Sequence, residues 1–315
     1  MKRRNFLKNL LVTVGASVWG KRTLFSQSAS TSFLPGGKTI LSERLQAVTP
    51  NANWRLTESI KINFRTFHCQ GMVKIGREFW VTSVEMDNSS SSNSDRSIGK
   101  GHLFRMDNKG NLLEDIAIGE GAIYHPSGID FDGKHIWIAV AEYRPDSQSI
   151  IYRFDPLSGH LREMFRWKDH IGGILRDPET NMLHGISWGS RRCYSWPLKG
   201  LSKMQTAGST MDMARRNGSF YIDYQDNQYI GGQQVVYTGL SSYKTPEGGR
   251  LTIGGIEVVD LQSGFAVHQV PIELRSPATG NVITQNPSWF EVTDLGLKAY
   301  FIPDDNDSTI FVYEC

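Results

Sequence analysis

A repeated signature constrains the fold of this chain more than any other feature of its sequence. The stretches HCQGMVKIGREFWVTSVE, residues 68–85, and HPSGIDFDGKHIWIAVAE, residues 125–142, align without a gap. Both place a glutamate 17 positions after the histidine. A third copy begins with HIGG at His170, and more divergent relatives begin at Gly218 and Asn286. Such a repeat predicts a structure built from one supersecondary unit used several times.

A second pattern follows each copy and predicts a β-hairpin. It reads as a β-rich run, an Asp-Gly turn and another β-rich run, in HLFRMDNKGNLLEDI, IYRFDPLSGHLREMF and IEVVDLQSGFAVHQV. The Asp side chain accepts backbone N–H groups in the turn while Gly takes a positive φ. Each unit therefore has four strands, and five units of roughly 55 residues have the size of propeller blades.

The two ends of the chain predict how the ring closes. The last unit stops one strand short, whereas WRLTESIKINF, residues 54–64, is a strand without a unit. We predict an all-β fold, a β-propeller of four-stranded blades closed by this N-terminal strand, because closure removes exposed edges. Five blades are favoured, and six remain an alternative because the fourth unit is long. The propeller is assigned to residues 51–315, after a linker at 31–50.

The first 30 residues read as an export signal. They combine a basic start, a short apolar run and small residues before residue 30. The run RRNFLK, residues 3–8, resembles the twin-arginine export motif. A general signal peptide or an uncleaved anchor is the alternative. We therefore expect a periplasmic or secreted protein, with the twin-arginine translocase as its partner during export and no membrane span after signal removal.

The charge of the mature chain bears on whether nucleic acid is a partner. Without the six basic residues of the leader, 28 basic residues face 32 acidic ones. No basic stripe is present elsewhere, so the sequence gives no support for nucleic-acid binding. Three cysteines, Cys69, Cys193 and Cys315, are too few for a disulfide framework, although one bridge would be permitted.

The repeat predicts a ring of polar side chains at one mouth of the channel. In a propeller blade, the residue before the innermost strand and the residue that ends the second strand lie on the same face. The members of this ring are His68, His125, His170, Asn286, Glu85, Glu142 and Asp304. Long connections follow the second strands, and long loops on a rigid scaffold are where binding residues concentrate.

Histidines and carboxylates together suggest two kinds of chemistry. The first is metal-assisted chemistry, with one divalent metal ion in the central channel. Its candidate ligands are His68, His125, His170 and Asp304. Glu85 and Glu142 are the candidate catalytic carboxylates, since a His beside a Glu also suits general acid–base chemistry. In the alternative interpretation, each His caps its strand by bonding to a backbone carbonyl of the neighbouring blade.

Polar loop residues provide candidate substrate contacts at the same rim. Arg144, Arg191, Arg192 and Asn286 are the candidates, because guanidinium groups pair with carboxylate or phosphate. They predict a small polar or anionic ligand. In the alternative interpretation, these loop arginines contact only water.

The repeat and strand motifs such as GIDFDGKHIWIAV also carry a resemblance that covers most of the chain from His68 onward. They resemble exported bacterial β-propeller proteins of an uncharacterised family. More remotely, they are similar to the superfamily of gluconolactonases and strictosidine synthases. That similarity implies a metal in the channel and hydrolysis or condensation at the mouth. The His-led pattern departs from the carboxylate- and Asn-rich metal set of the lactonases, so no site residue is carried across.

Two functions follow as alternatives. The first is a metal-assisted hydrolase or lyase acting on a small polar or anionic substrate. The second is a non-catalytic propeller that binds a ligand or a protein.

Overall fold

The computed structural model describes residues 39–86, 99–201, 213–294 and 296–315. The predicted signal peptide, with its twin-arginine motif, lies outside the described residues. Within them, no helix is long and apolar enough to cross a membrane.

The prediction of an all-β propeller with five four-stranded blades is confirmed. Blade 1 consists of β2 His68–Ile75, β3 Glu78–Met86, β4 Gly99–Met106 and β5 Leu112–Ile118. In blade 2 the innermost strand is split, and the strands are β6 Ile123–Pro126, β7 Asp130–Phe131, β8 Ile136–Glu142, β9 Ser149–Asp155 and β10 His160–Trp167.

The remaining blades follow the same antiparallel plan. Blade 3 consists of β11 Ile171–Asp177, β12 Met182–Ser187, β13 Arg192–Pro197 and β14 Arg215–Arg216, with a 3-10 helix at Trp188–Ser190. Blade 4 consists of β15 Asp223–Gly231, β16 Gln234–Lys244, β17 Arg250–Asp260 and β18 Ala266–Ile272. Blade 5 consists of β19 Ser288–Val292, β20 Leu297–Phe301, β21 Thr309–Glu314 and β1 Arg55–Lys61.

The N-terminal strand closes the ring as predicted. Strand β1 pairs antiparallel with β21, from Arg55 opposite Glu314 to Lys61 opposite Thr309. It is the outermost strand of blade 5, which explains why six of its seven residues are exposed. The first and last strands of the propeller thus complete one sheet.

The sequence patterns behind the strands are visible in the packing. Strand β8 is an unbroken apolar run that is fully buried from Ile136 to Ala141, because neighbouring blades cover both of its faces. The turn at Asp107 has the predicted chemistry, since its carboxylate accepts the backbone N–H of Lys109 at 2.8 Å and of Asn111 at 2.9 Å. Gly110 in that turn has φ 78°.

Two adjacent residues of β15, Asp226 and Asn227, join the inner strands of all five blades, and we call this pair the axial pin. The Asp226 carboxylate accepts backbone N–H groups from blades 1, 2 and 5 and from its own neighbour. Their donors are Met72 at 3.0 Å, Ile129 at 3.3 Å, Ser288 at 3.0 Å and Asn227 at 2.9 Å. The Asn227 amide donates to the carbonyl of Ile174 in blade 3 at 3.0 Å.

The axial pin explains the glycine of the His-x-x-Gly signature. A Cβ atom at Gly173 would lie 2.4 Å from Asn227 Oδ1, and one at Gly128 would lie 3.0 Å from Asp226. At Gly71, a Cβ would lie 2.6 Å from the backbone nitrogen of Ile129. Glycine is required in three successive blades because the inner strands and the pin meet there at backbone distance.

A short helix covers part of the propeller within the segment predicted to be a linker. Helix α1, Ile40–Ala47, begins at Thr39, whose hydroxyl accepts the backbone N–H of Ser42. Leu41 and Leu45 pack into the apolar cluster of blades 4 and 5. Cys69, Cys193 and Cys315 are free thiols, and burial raises the pKa of Cys69 to about 12.

Candidate functional site at the channel mouth

Three of the predicted histidines line one cavity at the mouth of the channel. His68 begins β2, His125 lies in β6, and His170 directly precedes β11. The cavity has a volume of about 230 Å³. Its other lining residues include Gln70, Tyr143, Trp188, Asp223 and Gln225. Because Asp223 and Gln225 come just before Asp226 in β15, the cavity lies directly above the axial pin.

Four rings form an aromatic cluster in this cavity: His125, Tyr143, His170 and Trp188. The His125 and Tyr143 rings stack with centroids 4.3 Å apart and an angle of 10°. Trp188 packs edge to face on His170 at 4.7 Å and lies 5.6 Å from Tyr143. Tyr143 and Trp188 are 43% and 38% exposed, so the cluster presents two partly exposed aromatic rings to an entering molecule.

Burial keeps the two histidines of the aromatic cluster neutral. It lowers the pKa of His125 well below 6.5, and the charges of His170 and His68 lower it further. Burial also lowers the pKa of His170. His170 Nδ1 donates to the carbonyl of Glu142 at 2.8 Å, which leaves its Nε2 as an acceptor. His125 Nδ1 is buried and has no hydrogen-bond partner among the described residues.

His68 is oriented by a carboxylate of blade 5. Its Nδ1 lies 2.9 Å from Asp305 Oδ1. The same oxygen accepts the side-chain amide of Asn286 at 2.9 Å. In the neutral tautomer whose Nδ1–H donates to this carboxylate, the lone pair lies on Nε2. We call these three residues the His68 relay.

Backbone conformations that are rare for ordinary residues adjoin the cavity. Phe67, directly before His68, has φ 55°, which is unusual for a bulky side chain. Its carbonyl accepts the backbone N–H of Asn306 at 2.7 Å, and this bond ties blade 5 to blade 1 beside Asp305. Ser190, which follows Trp188 and Gly189, has φ 59°. Each of these residues lies within two positions of a cavity residue, and such conformations cluster at functional sites.

Asp304 is not part of the cavity. Its carboxylate is buried and accepts hydrogen bonds from Ser276, Thr279 and Asn281. The structure therefore brings His68, His125 and His170 together but leaves the fourth predicted metal ligand in a separate network. Within the described ranges, no group of three or more His, Cys, Asp or Glu residues is placed to hold a metal ion.

The channel axis also does not fit the metal that the lactonase similarity implies. Asp226 places a carboxylate there, but both of its oxygens accept backbone N–H groups. Burial raises the pKa of the Asp226 carboxyl, and these N–H groups act in the opposite direction. At the axis of this protein, a carboxylate bound to the backbone joins the blades, and its oxygens are engaged by N–H groups.

The three predicted arginines are engaged with acidic residues. Arg144 pairs with Glu142 at 2.6 Å, and Arg191 pairs with Asp223 at 3.0 Å. Arg192 lies 2.6 Å from Asp146 and 2.9 Å from Asp169. The rim therefore presents neutralised ion pairs. The predicted anion contacts have carboxylate partners already.

The two predicted catalytic glutamates lie at the rim outside the cavity lining. Glu85 faces Lys100 at 3.6 Å and His102 at 3.7 Å. The carboxylate of Glu142 pairs with Arg144, and only its backbone carbonyl contacts His170. For His170, the strand-capping interpretation therefore matches the observed hydrogen bond. Asn286 contacts Asp305, not a cavity surface.

A comparison with protein families shows which family this chain belongs to. A profile described as a family of unknown function, DUF6454, matches residues 39–315. The chain belongs to DUF6454. The predicted membership of an uncharacterised propeller family is thereby confirmed. A comparison with curated proteins gives no significant match.

Several solved structures are similar to this DUF6454 protein at low sequence identity. A hypothetical protein from Leishmania major has a TM-score of 0.51 and 12% identity, over 83% of this chain and 91% of that one. A mannose phosphorylase from Leishmania mexicana has a TM-score of 0.47 and 11% identity, over 82% and 88%. The periplasmic gluconolactonase of Pseudomonas aeruginosa has a TM-score of 0.40 and 11% identity, over 79% and 88%. The first similarity concerns the fold alone, and the other two, with TM-scores below 0.5, carry no conclusion about this chain.

Sequence reasoning missed several residues of the DUF6454 site. Tyr143 and Trp188 each follow directly after a second strand, at equivalent places in blades 2 and 3. Comparing those two positions would have identified them. Asp305 is adjacent to the predicted Asp304, and only the turn geometry distinguishes the two. The signal for the axial pin was the polar pair Asp226 and Asn227 inside a strand expected to be buried.

Proposed function

We propose that this protein binds a small, uncharged polar molecule with a flat or ring-shaped apolar face in the mouth cavity. The aromatic cluster carries the proposal, because Tyr143 and Trp188 are partly exposed rings in the wall of the cavity. Exposed aromatic rings beside polar side chains favour a ligand with an apolar face and polar substituents.

The dimensions of the cavity support a small ligand. Pockets for drug-sized molecules have volumes of about 300–1,000 Å³. At about 230 Å³, this cavity suits a single ring with a few polar substituents. Tyr143 and Trp188 offer faces for stacking, while Gln70 and Gln225 offer amide groups.

The electrostatics of the cavity support an uncharged ligand. The lowered pKa values of His125 and His170 keep both rings neutral near pH 7. Asp223, the acidic residue of the lining, pairs with Arg191 at 3.0 Å. In the described part of the chain, the cavity lining contains no Lys or Arg, so an anion would lose hydration there without gaining a cationic partner. The sequence left two functions open, a metal-assisted hydrolase or lyase and a non-catalytic binding propeller. These contacts favour ligand binding.

Matched ligand pairs test this function. Calorimetry and saturation-transfer NMR would compare nicotinamide with nicotinate, uracil with orotate, and δ-valerolactone with 5-hydroxyvalerate. We expect an uncharged member to bind and its anionic counterpart to bind at least about tenfold more weakly, because desolvating the charge is not compensated.

Substitution of Trp188 provides the structural control. We expect Trp188→Ala to abolish the binding, since it removes a ring of the aromatic cluster. Phe265→Ala is the matched control, because Phe265 is 70% exposed and does not line the cavity. Equal affinity for charged and uncharged members, unchanged binding by Trp188→Ala, or no binding by any uncharged compound would contradict the proposal.

A further inference from the structure

We propose that a β-hairpin beside the channel mouth binds an extended, acidic segment of a partner protein by adding it as a strand to its open edge. This inference goes beyond the ligand site proposed above, because it concerns a different surface and a macromolecular partner. The evidence lies in the strand pairing of blade 4, in the contacts that hold the base of the hairpin, and in its side chains.

Strands β16 and β17 extend beyond their neighbours in blade 4. The inner strand β15 begins at Asp223, which pairs with Leu240, and the outer strand β18 ends at Ile272, which pairs with Gly254. Beyond these pairs, residues 241–253 form a hairpin with no neighbouring strand among the described residues. We call this hairpin the rim finger. Since Asp223 lines the mouth cavity, the rim finger begins beside that cavity.

One edge of the rim finger carries backbone groups without a partner. Thr245 directs its N–H across the hairpin to the carbonyl of Gly249 at 3.0 Å. Backbone groups alternate in direction along a strand, so the N–H and C=O groups of Ser242 and Lys244 point away from β17. Among the described residues, these groups have no backbone partner. Lower in the blade β15 covers the same edge of β16, so the exposed part is a template for one more strand.

The rest of the rim finger is fixed by side chains. On the opposite edge, Arg275 donates from Nη2 to the backbone carbonyl of Thr252 at 2.7 Å. At the base, the hydroxyl of Thr284 donates to the carbonyl of Gly239 at 2.7 Å and accepts the N–H of Gly255 at 3.2 Å. The open edge therefore belongs to a hairpin that is already ordered, which lowers the entropic cost of binding.

The two faces of the rim finger differ in chemistry. Tyr243 lies opposite Leu251 in the ladder, and these residues are 45% and 52% exposed. Lys244 lies opposite Arg250, and this pair points to the other face because successive residues of a strand alternate. A strand added to the open edge would therefore continue an apolar face and a cationic face. It would need apolar and acidic residues in alternation.

The cationic pair indicates which partner the edge accepts. Like charges at directly opposite positions destabilise a β-ladder. In the part of the chain that the structure describes, neither Lys244 nor Arg250 forms an ion pair, although Glu247 lies in the turn between them. An acidic side chain on the added strand would relieve the repulsion. A second copy of this edge would bring further cations to the same face, so the occupant is an acidic segment of another protein.

Short peptides of alternating sequence test the proposal. The probe is the acetylated and amidated peptide GSEVEVESG with a fluorescent label, and its charge-reversed counterpart is GSKVKVKSG. In fluorescence anisotropy with the purified protein, the acidic peptide should bind at least about tenfold more tightly than the basic one, because Lys244 and Arg250 attract only the former. Addition of the acidic peptide should also shift the backbone amide signals of Ser242 and Lys244 in nitrogen-15 NMR.

Reversal of the two charges should reverse the preference. We expect the double variant Lys244→Glu, Arg250→Glu to bind the basic peptide about tenfold more tightly than the acidic one. Such a gain of binding is not expected from a general loss of structure. Lys134→Glu is the matched control, because Lys134 is an exposed lysine in the turn between β7 and β8. It should keep the preference of the wild type.

Methylated peptides test the strand pairing itself. In an added strand, one set of alternate backbone N–H groups faces β16 and the other set faces away. N-methylation of either the glutamates or the valines of GSEVEVESG should therefore weaken binding by at least about tenfold, while methylation of the other set changes it by less than about threefold.

Three results would overturn the proposal for the rim finger. The first is equal affinity for the two peptides, or no binding of either. The second is an equal effect of the two methylation patterns, since side-chain attraction alone does not distinguish them. The third is binding of the wild type to phosphatidylglycerol vesicles without binding to the acidic peptide, which would assign the rim finger to a membrane surface.

Discussion

Replacing Asp226 by alanine is expected to lower the free energy of unfolding by about 3–5 kcal/mol. The substitution leaves four buried backbone N–H groups without their acceptor, and these groups come from blades 1, 2, 4 and 5. Each unsatisfied buried donor costs about 1–3 kcal/mol, reduced where the surrounding structure relaxes. Urea denaturation followed by tryptophan fluorescence measures the change.

An exposed carboxylate with similar bonds is the control for Asp226. Asp107 also accepts backbone N–H groups, but it lies in a solvent-exposed turn of blade 1. Water can replace the lost acceptor there, so Asp107→Ala should destabilise the protein much less. If both substitutions lowered stability equally, the axial pin would not be the feature that joins the blades.

Asp130 is expected to make the protein less stable as the pH rises from about 4 to 8. This residue of β7 is 1% exposed, and both of its carboxyl oxygens are buried. Burial raises the pKa of Asp130 to about 8. An unfolded aspartate has a pKa near 3.9.

The direction of this pH effect follows from proton binding. Between the two pKa values, the unfolded chain loses the Asp130 proton while the folded chain keeps it, so the folded state binds more protons. Stability therefore falls as the pH rises through this window, by about 1.4 kcal/mol for each pH unit at most. Below about pH 4 both states are protonated, and the stability contribution of the neutral carboxyl is fully present.

The substitution Asp130→Asn tests this expectation, because an amide of similar size does not titrate. Urea denaturation near pH 4.5 and pH 7.5 should show a loss of stability in wild type that exceeds the loss in the variant by several kcal/mol. Asp107→Asn, in an exposed turn, should keep the pH dependence of the wild type in this range. An identical pH dependence for wild type and Asp130→Asn would show that Asp130 is ionised in the folded state.

The repeat made most of the fold predictable. The His-x-x-Gly copies and the Asp-Gly hairpins are local patterns, so the blades and their turns could be inferred from short stretches. The pairing of β1 with β21 was predictable because the chain lacked one strand at one end and had one too many at the other. These inferences required only the number of strands in each unit and the fact that an unpaired edge strand is unfavourable.

The chemistry of the site was predictable only in part. The repeat predicted that His68, His125 and His170 share one face, because equivalent positions of a propeller meet at the channel, and all three line the cavity. It could not show that Arg191 and Arg192 have carboxylate partners, since Asp223 and Asp169 are distant in sequence. The choice between Asp304 and Asp305 depends on which carboxylate the turn directs at His68, and that is a tertiary property.

The axial pin connects the fold to the site. Asp226 fixes the inner strands of blades 1, 2 and 5 relative to β15. The cavity lies on those same strands and on the residues just before Asp226. The bonds of Asp226 at the axis therefore hold the aromatic cluster and the His68 relay in register.

Nitrogen-15 NMR of histidine-labelled protein tests the central claim that the mouth cavity is an uncharged binding site. The signals of His125, assigned by their absence in His125→Gln, should keep the chemical shifts of a neutral imidazole down to about pH 6, because burial holds its pKa well below 6.5. Its Nδ1 signal should shift when an uncharged ligand such as nicotinamide is added. Titration of His125 with a midpoint at or above 6.5, or no response of Nδ1 to any uncharged ligand of the panel, would contradict the claim.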